Sequence, residues 1–344
     1  MINLGYSEQN LLLSAKENNK LTSTRTSIDI LQSGVEYGIE LLKDCARNNL
    51  VNLAKLLTWN HMNNIHVFVA PTQLFPYASD GYFGYSTHFA TFELQFLGNM
   101  CREFRQRIIF SNPSEHCNLG SLQQYATLQS KRSLHTHASI LQYFPDDCML
   151  ITTIAGKEPR TSDEEFYGND EETLDSISKG VTLERWCERF TKLPDFVKKR
   201  IALQNDPFRY TINDLLPICK EYNIPLCPHT LYDSINGQQA HTSFPAIRET
   251  WEHKGIPIIF HGESNPGAYS IKEKLQESLY VNDFPGLSDT MDVVLLSAAK
   301  EQSIFNIYEH YDFFVDSQLK VQVQPKCPIQ QQHEEWKSIL NDLP

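Results

Sequence analysis

Short, nearly unbroken apolar runs recur along the chain, separated by longer stretches in which apolar residues return every three or four positions. The runs are Ile2–Gly5, His66–Ala70, Arg107–Ser111, Met149–Thr153, Ile201–Gln204, Pro225–Pro228, Ile258–His261 and Asp292–Leu296. Apolar runs of this length, with little alternation, suit parallel strands covered on both faces. Helical spacing lies between them. Ile28 to Ala46 sets Ile30, Leu31, Val35, Ile39, Leu41 and Leu42 on one broad face. Phe92–Phe104, Leu134–Tyr143, Leu183–Phe190 and Ile271–Leu279 also predict helices. Thr211-Ile212-Asn213-Asp214 reads as a capping box opening a helix before Tyr222, with Pro217 straining its middle.

Eight strands alternating with helices predict an α/β chain folded as a (β/α)8 TIM barrel over residues 1–305, followed by a C-terminal extension over 306–344. A doubly wound open sheet competes. No G-x-G-x-x-G follows the first strand and no G-x-x-x-x-G-K-[ST] occurs, so the dinucleotide and P-loop versions of that sheet lose their support.

Composition narrows the picture. With 344 residues, 41% of them hydrophobic, the chain can bury a full core. Its net charge of −12 argues against a general nucleic-acid coating protein, though a local basic groove stays open. Much of the acid sits in an insertion at about 157–178, where Glu158, Asp163, Glu164, Glu165, Asp170, Glu171, Glu172 and Asp175 read as a solvated loop. The apolar runs are too short to span a bilayer, and Met1–Tyr6 lacks the basic end and apolar core of a signal peptide. None of the eight cysteines forms a C-x-x-C pair. Reduced thiols, an intracellular location and no membrane partner are therefore expected.

In a barrel, chemistry gathers at the C-terminal ends of the strands. Those ends carry Tyr6, Asn112, Thr153, Gln204, His229, His261 and Leu296. His229 and His261 sit on neighbouring predicted strands with Asp233 one turn beyond, a set that suits one divalent ion. The competing reading is a strand-end histidine that hydrogen-bonds a loop. His135 and His137 point to different faces of their helix, which argues against a shared metal. Lys198, Lys199 and Arg200 precede the fifth strand, at the opposite end, and read as a solvated face. Glu115 and His116 lie in the loop after the third strand, as substrate contacts or as ordinary loop residues.

Several pieces resemble one family, the UV-damage endonucleases. Leu4-Gly5-Tyr6 with Asn10 looks like the family's start, and Arg25-Thr26 resembles its N-R-T element. Trp59-Asn60 leads to Phe68 and then to Leu74-Phe75-Pro76-Tyr77-Ala78-Ser79, which resembles L-F-P-[WF]-A-S-H. Leu203-Gln204-Asn205-Asp206 resembles L-E-N-D. Thr230-Leu231-Tyr232-Asp233, Phe260-His261 and Lys300-Glu301-Gln302 follow in the family's order. The resemblance extends over residues 1–302. It implies a barrel that binds damaged duplex DNA, splays out the lesion and cuts on its 5′ side with a cluster of divalent metals, often manganese.

Carried over position by position, the family's ligands are mostly replaced. The family's His after A-S is Asp80, the His of M-H-P-G-Q-Y is Asn112, and that motif's lesion-probing Gln and Tyr are Glu115 and His116. The fourth-strand His falls at Thr153 or Ile154, the Glu of L-E-N-D is Gln204, and the Asp before T-L is His229. Tyr232, Ile259, Tyr269 and Leu296 stand where the family has His, Lys, His and Glu. His261 survives, as do Tyr6 and Asn10, which the family keeps beside its site. Closely spaced divalent ions need several anionic ligands, so the expectation is at most one ion, manganese by resemblance, between His229, His261 and Asp233. Three readings follow: a repair endonuclease of this family, a non-catalytic relative that binds DNA or a protein through the barrel mouth, and a different single-metal enzyme on the same barrel.

Overall fold

The computed structural model describes residues 2–13, 34–112, 117–154, 171–237, 240–282, 290–315 and 321–325. Seven strands form one parallel sheet: β1 (Asn3–Ser7), β2 (Val67–Ala70), β3 (Arg107–Asn112), β4 (Met149–Thr152), β5 (Ile201–Leu203), β6 (Ile258–Gly262) and β7 (Asp292–Leu296). Their order is β5-β4-β3-β2-β1-β7-β6. Every residue of β2, β4, β5 and β7 is buried, which explains their unbroken apolar runs. Gly5 pairs with Val67, and a Cβ there would fall 2.3 Å from the Val67 carbonyl oxygen, so only glycine permits the β1–β2 approach.

The sheet is curled. Arg107 opens β3 and Asp292 opens β7, strands separated by β2 and β1, yet their side chains meet at 2.8 Å in a buried ion pair. Asn3 Nδ2 donates to the same carboxylate, and the Arg107 guanidinium also donates to the carbonyls of Asp147 and Ile256. These groups plug the N-terminal end of the sheet, where conserving hydrogen bonds to both ions makes their burial tolerable.

The expected closed ring of eight regular strands is corrected in one place. Residues 225–228 do not form a strand. They lie between the sheet edges β5 and β6 and make single parallel bridges, Leu203 to Leu226 and, through the next residue, His229 to Phe260. Pro225 and Pro228 have no N–H to donate. Their carbonyls still accept, from Leu203 N–H at 2.9 Å and Phe260 N–H at 2.9 Å, and Cys227 N–H donates to Leu203 O at 2.7 Å.

Helices follow the strands: α1 (Val35–Met62), α2 (Thr91–Phe104), α3 (Gln124–Leu141), α4 (Glu171–Thr191), α5 (Asp195–Lys198), α6 (Ile212–Tyr222), α7 (Thr230–Ile235), α8 (Phe244–Glu249), α9 (Ile271–Lys274) and α10 (Glu301–His310). In α2, Leu94, Leu97, Gly98 and Cys101 form the buried stripe at helical spacing. The capping box of α6 is present, with Asp214 Oδ2 accepting from Thr211 N–H at 2.8 Å, and Pro217 sits within the helix. Beyond α10, β8 (Tyr311–Val315) and β9 (Val321–Pro325) pair antiparallel in the expected extension, and α10 itself runs across residue 305.

The seven described cysteines are free thiols, and all but Cys45 are buried. Burial pushes the thiols of Cys117 and Cys187 up to about 11. Among the described residues no helix is long and apolar enough to cross a membrane.

Candidate functional site at the C-terminal strand ends

Tyr6 leaves β1 fully buried. Its hydroxyl donates to Asn60 Oδ1 at 2.8 Å and accepts from Asn10 Nδ2 at 2.9 Å. Burial holds the phenol well above its ordinary range, so it stays neutral. Asn10 Oδ1 in turn accepts from Leu13 N–H, and Glu301 accepts from Leu11 and Leu12 N–H at 3.0 and 2.7 Å. Tyr6, Asn10 and Glu301 therefore pin the helical residues 11–13 over the end of β1. Tyr6 and Asn10 act here by positioning that turn.

Asp80 accepts from the N–H groups of Tyr82 and Phe83 at 2.7 and 2.8 Å, closing the turn after β2. Asp206 does the same after β5, with Phe208, Arg209 and Tyr210 N–H all donating to its carboxylate. Asn112 ends β3 opposite Thr152. Glu115 and His116 lie outside the described residues, as does most of the acidic insertion.

Gln204 follows β5 and is buried, with its Nε2 lacking a hydrogen-bond partner. His229 is also buried. Its ring stacks on Tyr232 at 3.5 Å between centroids and 8° between planes, and its Nδ1 has no partner. Burial, reinforced by the neighbouring His261, depresses its pKa to about 3. His261 Nδ1 meets the Thr230 hydroxyl at 2.9 Å. Asp233 is 1% exposed, neither carboxylate oxygen has a partner, and burial raises its pKa. Ile259 and Leu296 are buried apolar side chains, whereas Tyr269 is 90% exposed.

The expected metal set of His229, His261 and Asp233 is not assembled: among the described residues no group of three His, Cys, Asp or Glu side chains could hold a metal ion. The reason is local. His229 stacks its ring face on Tyr232 and leaves Nδ1 without a partner, His261 Nδ1 is engaged by Thr230, and neither Asp233 oxygen has a hydrogen-bond partner. The amide of Gln204 and the apolar side chains of Ile259 and Leu296 offer no anionic oxygen to a metal.

Two features escaped the sequence. Lys300 follows β7 with φ 50° and ψ −120°, a region that disfavours any side chain. Its ammonium lies 3.5 Å from Ser7 Oγ and 3.7 and 3.8 Å from Glu8 and Glu277, whose charges offset its own. The second feature is a set of exposed rings on loops at this face: Tyr77 and Tyr82 after β2, Phe208 after β5 and Tyr269 after β6. Tyr82 and Phe208 are each 70% exposed. Tyr77 sits in the L-F-P segment and Phe208 two residues beyond the L-E-N-D segment, and that placement was the available signal.

Comparison with known proteins matches this arrangement to one family. The model of the family described as UV-endonuclease UvdE matches residues 2–324. The UV-damage endonuclease of Schizosaccharomyces pombe is 29% identical over 344 residues, covering 95% of this chain and 52% of its own length. That of Neurospora crassa is 26% identical over 291 residues, covering 79% of this chain and 42% of its own. This chain thus spans about half the length of these fungal relatives. The crystal structure of SacUVDE shares the fold with a TM-score of 0.70 at 22% identity, covering 89% of this chain and 96% of that one. A family match across nearly the whole sequence, on a fold shared at that level, places this chain in the UV-endonuclease UvdE family.

Proposed function

We propose that the chain is a DNA-repair protein of the UV-damage endonuclease type, which engages damaged duplex DNA over the C-terminal strand ends. In this reading residues 225–229 complete the strands as the eighth member of a (β/α)8 barrel. Binding, rather than incision of the strand, is the activity its own residues support. The observation that carries binding is the set of exposed rings, Tyr77, Tyr82, Phe208 and Tyr269, on three separate loops of one face. Aromatic faces stack on unpaired bases whatever their sequence, and a lesion weakens the stack that must be opened. Lys300 is offset by Glu8 and Glu277, so affinity rests on stacking more than on phosphate neutralisation.

The step argued against is hydrolysis. An attacking hydroxide at neutral pH needs a metal or a poised base. His229 is buried with its pKa depressed to about 3, too low for a base poised at neutral pH, and Gln204 has no basic atom. The test combines binding and cutting on one duplex that carries a single defined photoproduct. Fluorescence anisotropy at fixed salt should show tighter binding to the irradiated duplex than to the intact one. An end-labelled incision assay with manganese should return the duplex uncut. Equal affinity for both duplexes would remove the lesion-recognition reading. A 5′ cut abolished by His261→Ala would remove the non-incising one.

A further inference from the structure

A cavity of about 1110 Å³ opens at the other end of the sheet, below the N-terminal ends of β4 and β5. Its wall comes from the turn before β4 (Asp146, Asp147), the end of α4 (Phe190), α5 and the residues after it (Phe196, Lys198, Lys199, Arg200), the end of α6 (Tyr222) and the turn before β6 (His253, Lys254). The basic run Lys198-Lys199-Arg200, expected as a solvated face, is split by the fold. Lys199 is exposed, but Arg200 is buried and donates to the carbonyls of Phe144, Pro145 and Cys148.

We infer that this cavity binds a small phosphate ester carrying a flat ring, the nucleotide class of ligand. The charge argument is local. Four cations, Lys198, Lys199, Arg200 and Lys254, face two carboxylates, Asp146 and Asp147, in the wall of a chain whose net charge is −12. Asp195 engages Lys198 at 2.9 Å and Asp146 engages Arg200 at 3.3 Å, which leaves Lys199 in no ion pair with a described residue. Capping of helix ends accounts for part of this: Lys254 donates to the Lys199 carbonyl, and Arg200 to three carbonyls. It does not account for all of it. The Lys254 ammonium remains disfavoured, by burial first and then by the positive charge of Arg200, with Asp146 partly offsetting and Lys199 adding to it. An anion lodged between Lys199 and Lys254 would offset that crowding, and each ammonium keeps N–H groups for it.

The ring is argued from the opposite wall. Phe190 stacks on Trp186 at 5.1 Å and meets Tyr222 edge-on at 6.4 Å, with Phe196 beside them. Phe190 is itself buried against Trp186, and the half-buried rings of Tyr222 and Phe196 present apolar ring surface beside the cations, the pairing that a nucleotide's base and phosphate require.

The full chain should be titrated calorimetrically with adenosine 5′-monophosphate, ribose 5-phosphate and inorganic phosphate. The expected result is saturable binding of the nucleotide, weakened by salt, with the two ring-free probes at least about tenfold weaker. Lys199→Glu, at an exposed position that keeps the fold, should weaken nucleotide binding by about tenfold or more, and Lys254→Met likewise. No saturable binding of any probe overturns the inference. So does nucleotide binding that survives both lysine variants. Equal affinity for inorganic phosphate overturns the ring. Loss of nucleotide binding in Phe208→Ala instead would place the nucleotide at the far face and overturn the site.

Discussion

Asn205 grips the backbone of His229 at both of its polar groups: its Nδ2 donates to the His229 carbonyl at 3.2 Å, and its Oδ1 accepts the His229 N–H at 2.7 Å. This side chain stands in for strand pairing where the sheet has only single bridges. Asn205→Ala would leave the His229 N–H buried without its partner, while the His229 carbonyl keeps the Asp233 N–H at 3.1 Å. The expected loss of stability is about 1–3 kcal/mol for that one orphaned group, read from urea denaturation. An unchanged midpoint would show that water or a neighbour replaces the amide.

His229 also sets a pH dependence. Its folded pKa, about 3, lies below the ordinary histidine value of about 6.5. As pH falls below about 6.5 the unfolded chain takes the proton first, so stability is fully present above that pH and is lost toward pH 3. The slope approaches about 1.4 kcal/mol per pH unit for this group. In His229→Phe, which keeps a ring between Tyr232 and Phe260, the stability curve between pH 6.5 and pH 4 should be flatter by roughly that slope. Parallel curves for the two proteins would refute the assignment.

Phe208→Ala separates binding from folding. The ring is 70% exposed, so stability should change by no more than about 0.5 kcal/mol. Affinity for the photoproduct duplex should fall by about 1–3 kcal/mol if the ring stacks on a base. Retained affinity would move the contact elsewhere on the face.

The Arg107–Asp292 pair spans the curl of the sheet. Arg107→Met removes one ion and strands the other in a buried site. The expected cost is about 3–5 kcal/mol by chemical denaturation. The double variant Arg107→Met with Asp292→Asn should recover part of it, because no ion is then left unpaired. A double variant as unstable as the single one would point to the carbonyl contacts of Arg107 instead.

The fold was legible where burial on both faces writes itself as an apolar run, as in Val67–Ala70 and Asp292–Leu296. It was less legible at Pro225–Pro228, where an apolar run carries two prolines and so cannot donate a full ladder. Helix boundaries slipped for a similar reason. The predicted Ile28–Ala46 helix, of which residues 28–33 lie outside the described residues, continues past Ala46 to Met62, because Leu53, Leu56 and Leu57 continue the buried stripe past the polar Arg47-Asn48-Asn49. At the site, spacing alone brought His229 and His261 onto neighbouring positions. The fold alone stacks Tyr232 on the His229 ring and sets the Thr230 hydroxyl against His261 Nδ1. The basic cavity was hidden because its cations come from residues 198–200 and 254, joined by the fold alone.

The buried thiols give the folded chain a built-in reporter. A sulfur reacts as thiolate, and burial both withholds Cys101, Cys148, Cys219 and Cys227 from reagent and raises their pKa. Alkylation at these positions therefore waits for the backbone around them to open. Cys148 reports on the edge beside β3, and Cys227 on the bridged segment between β5 and β6. Labelled in a timed pulse and read by mass, the two would give separate opening frequencies within one molecule, and the ratio of those frequencies would measure how much less often a full strand ladder parts than a single-bridge seam.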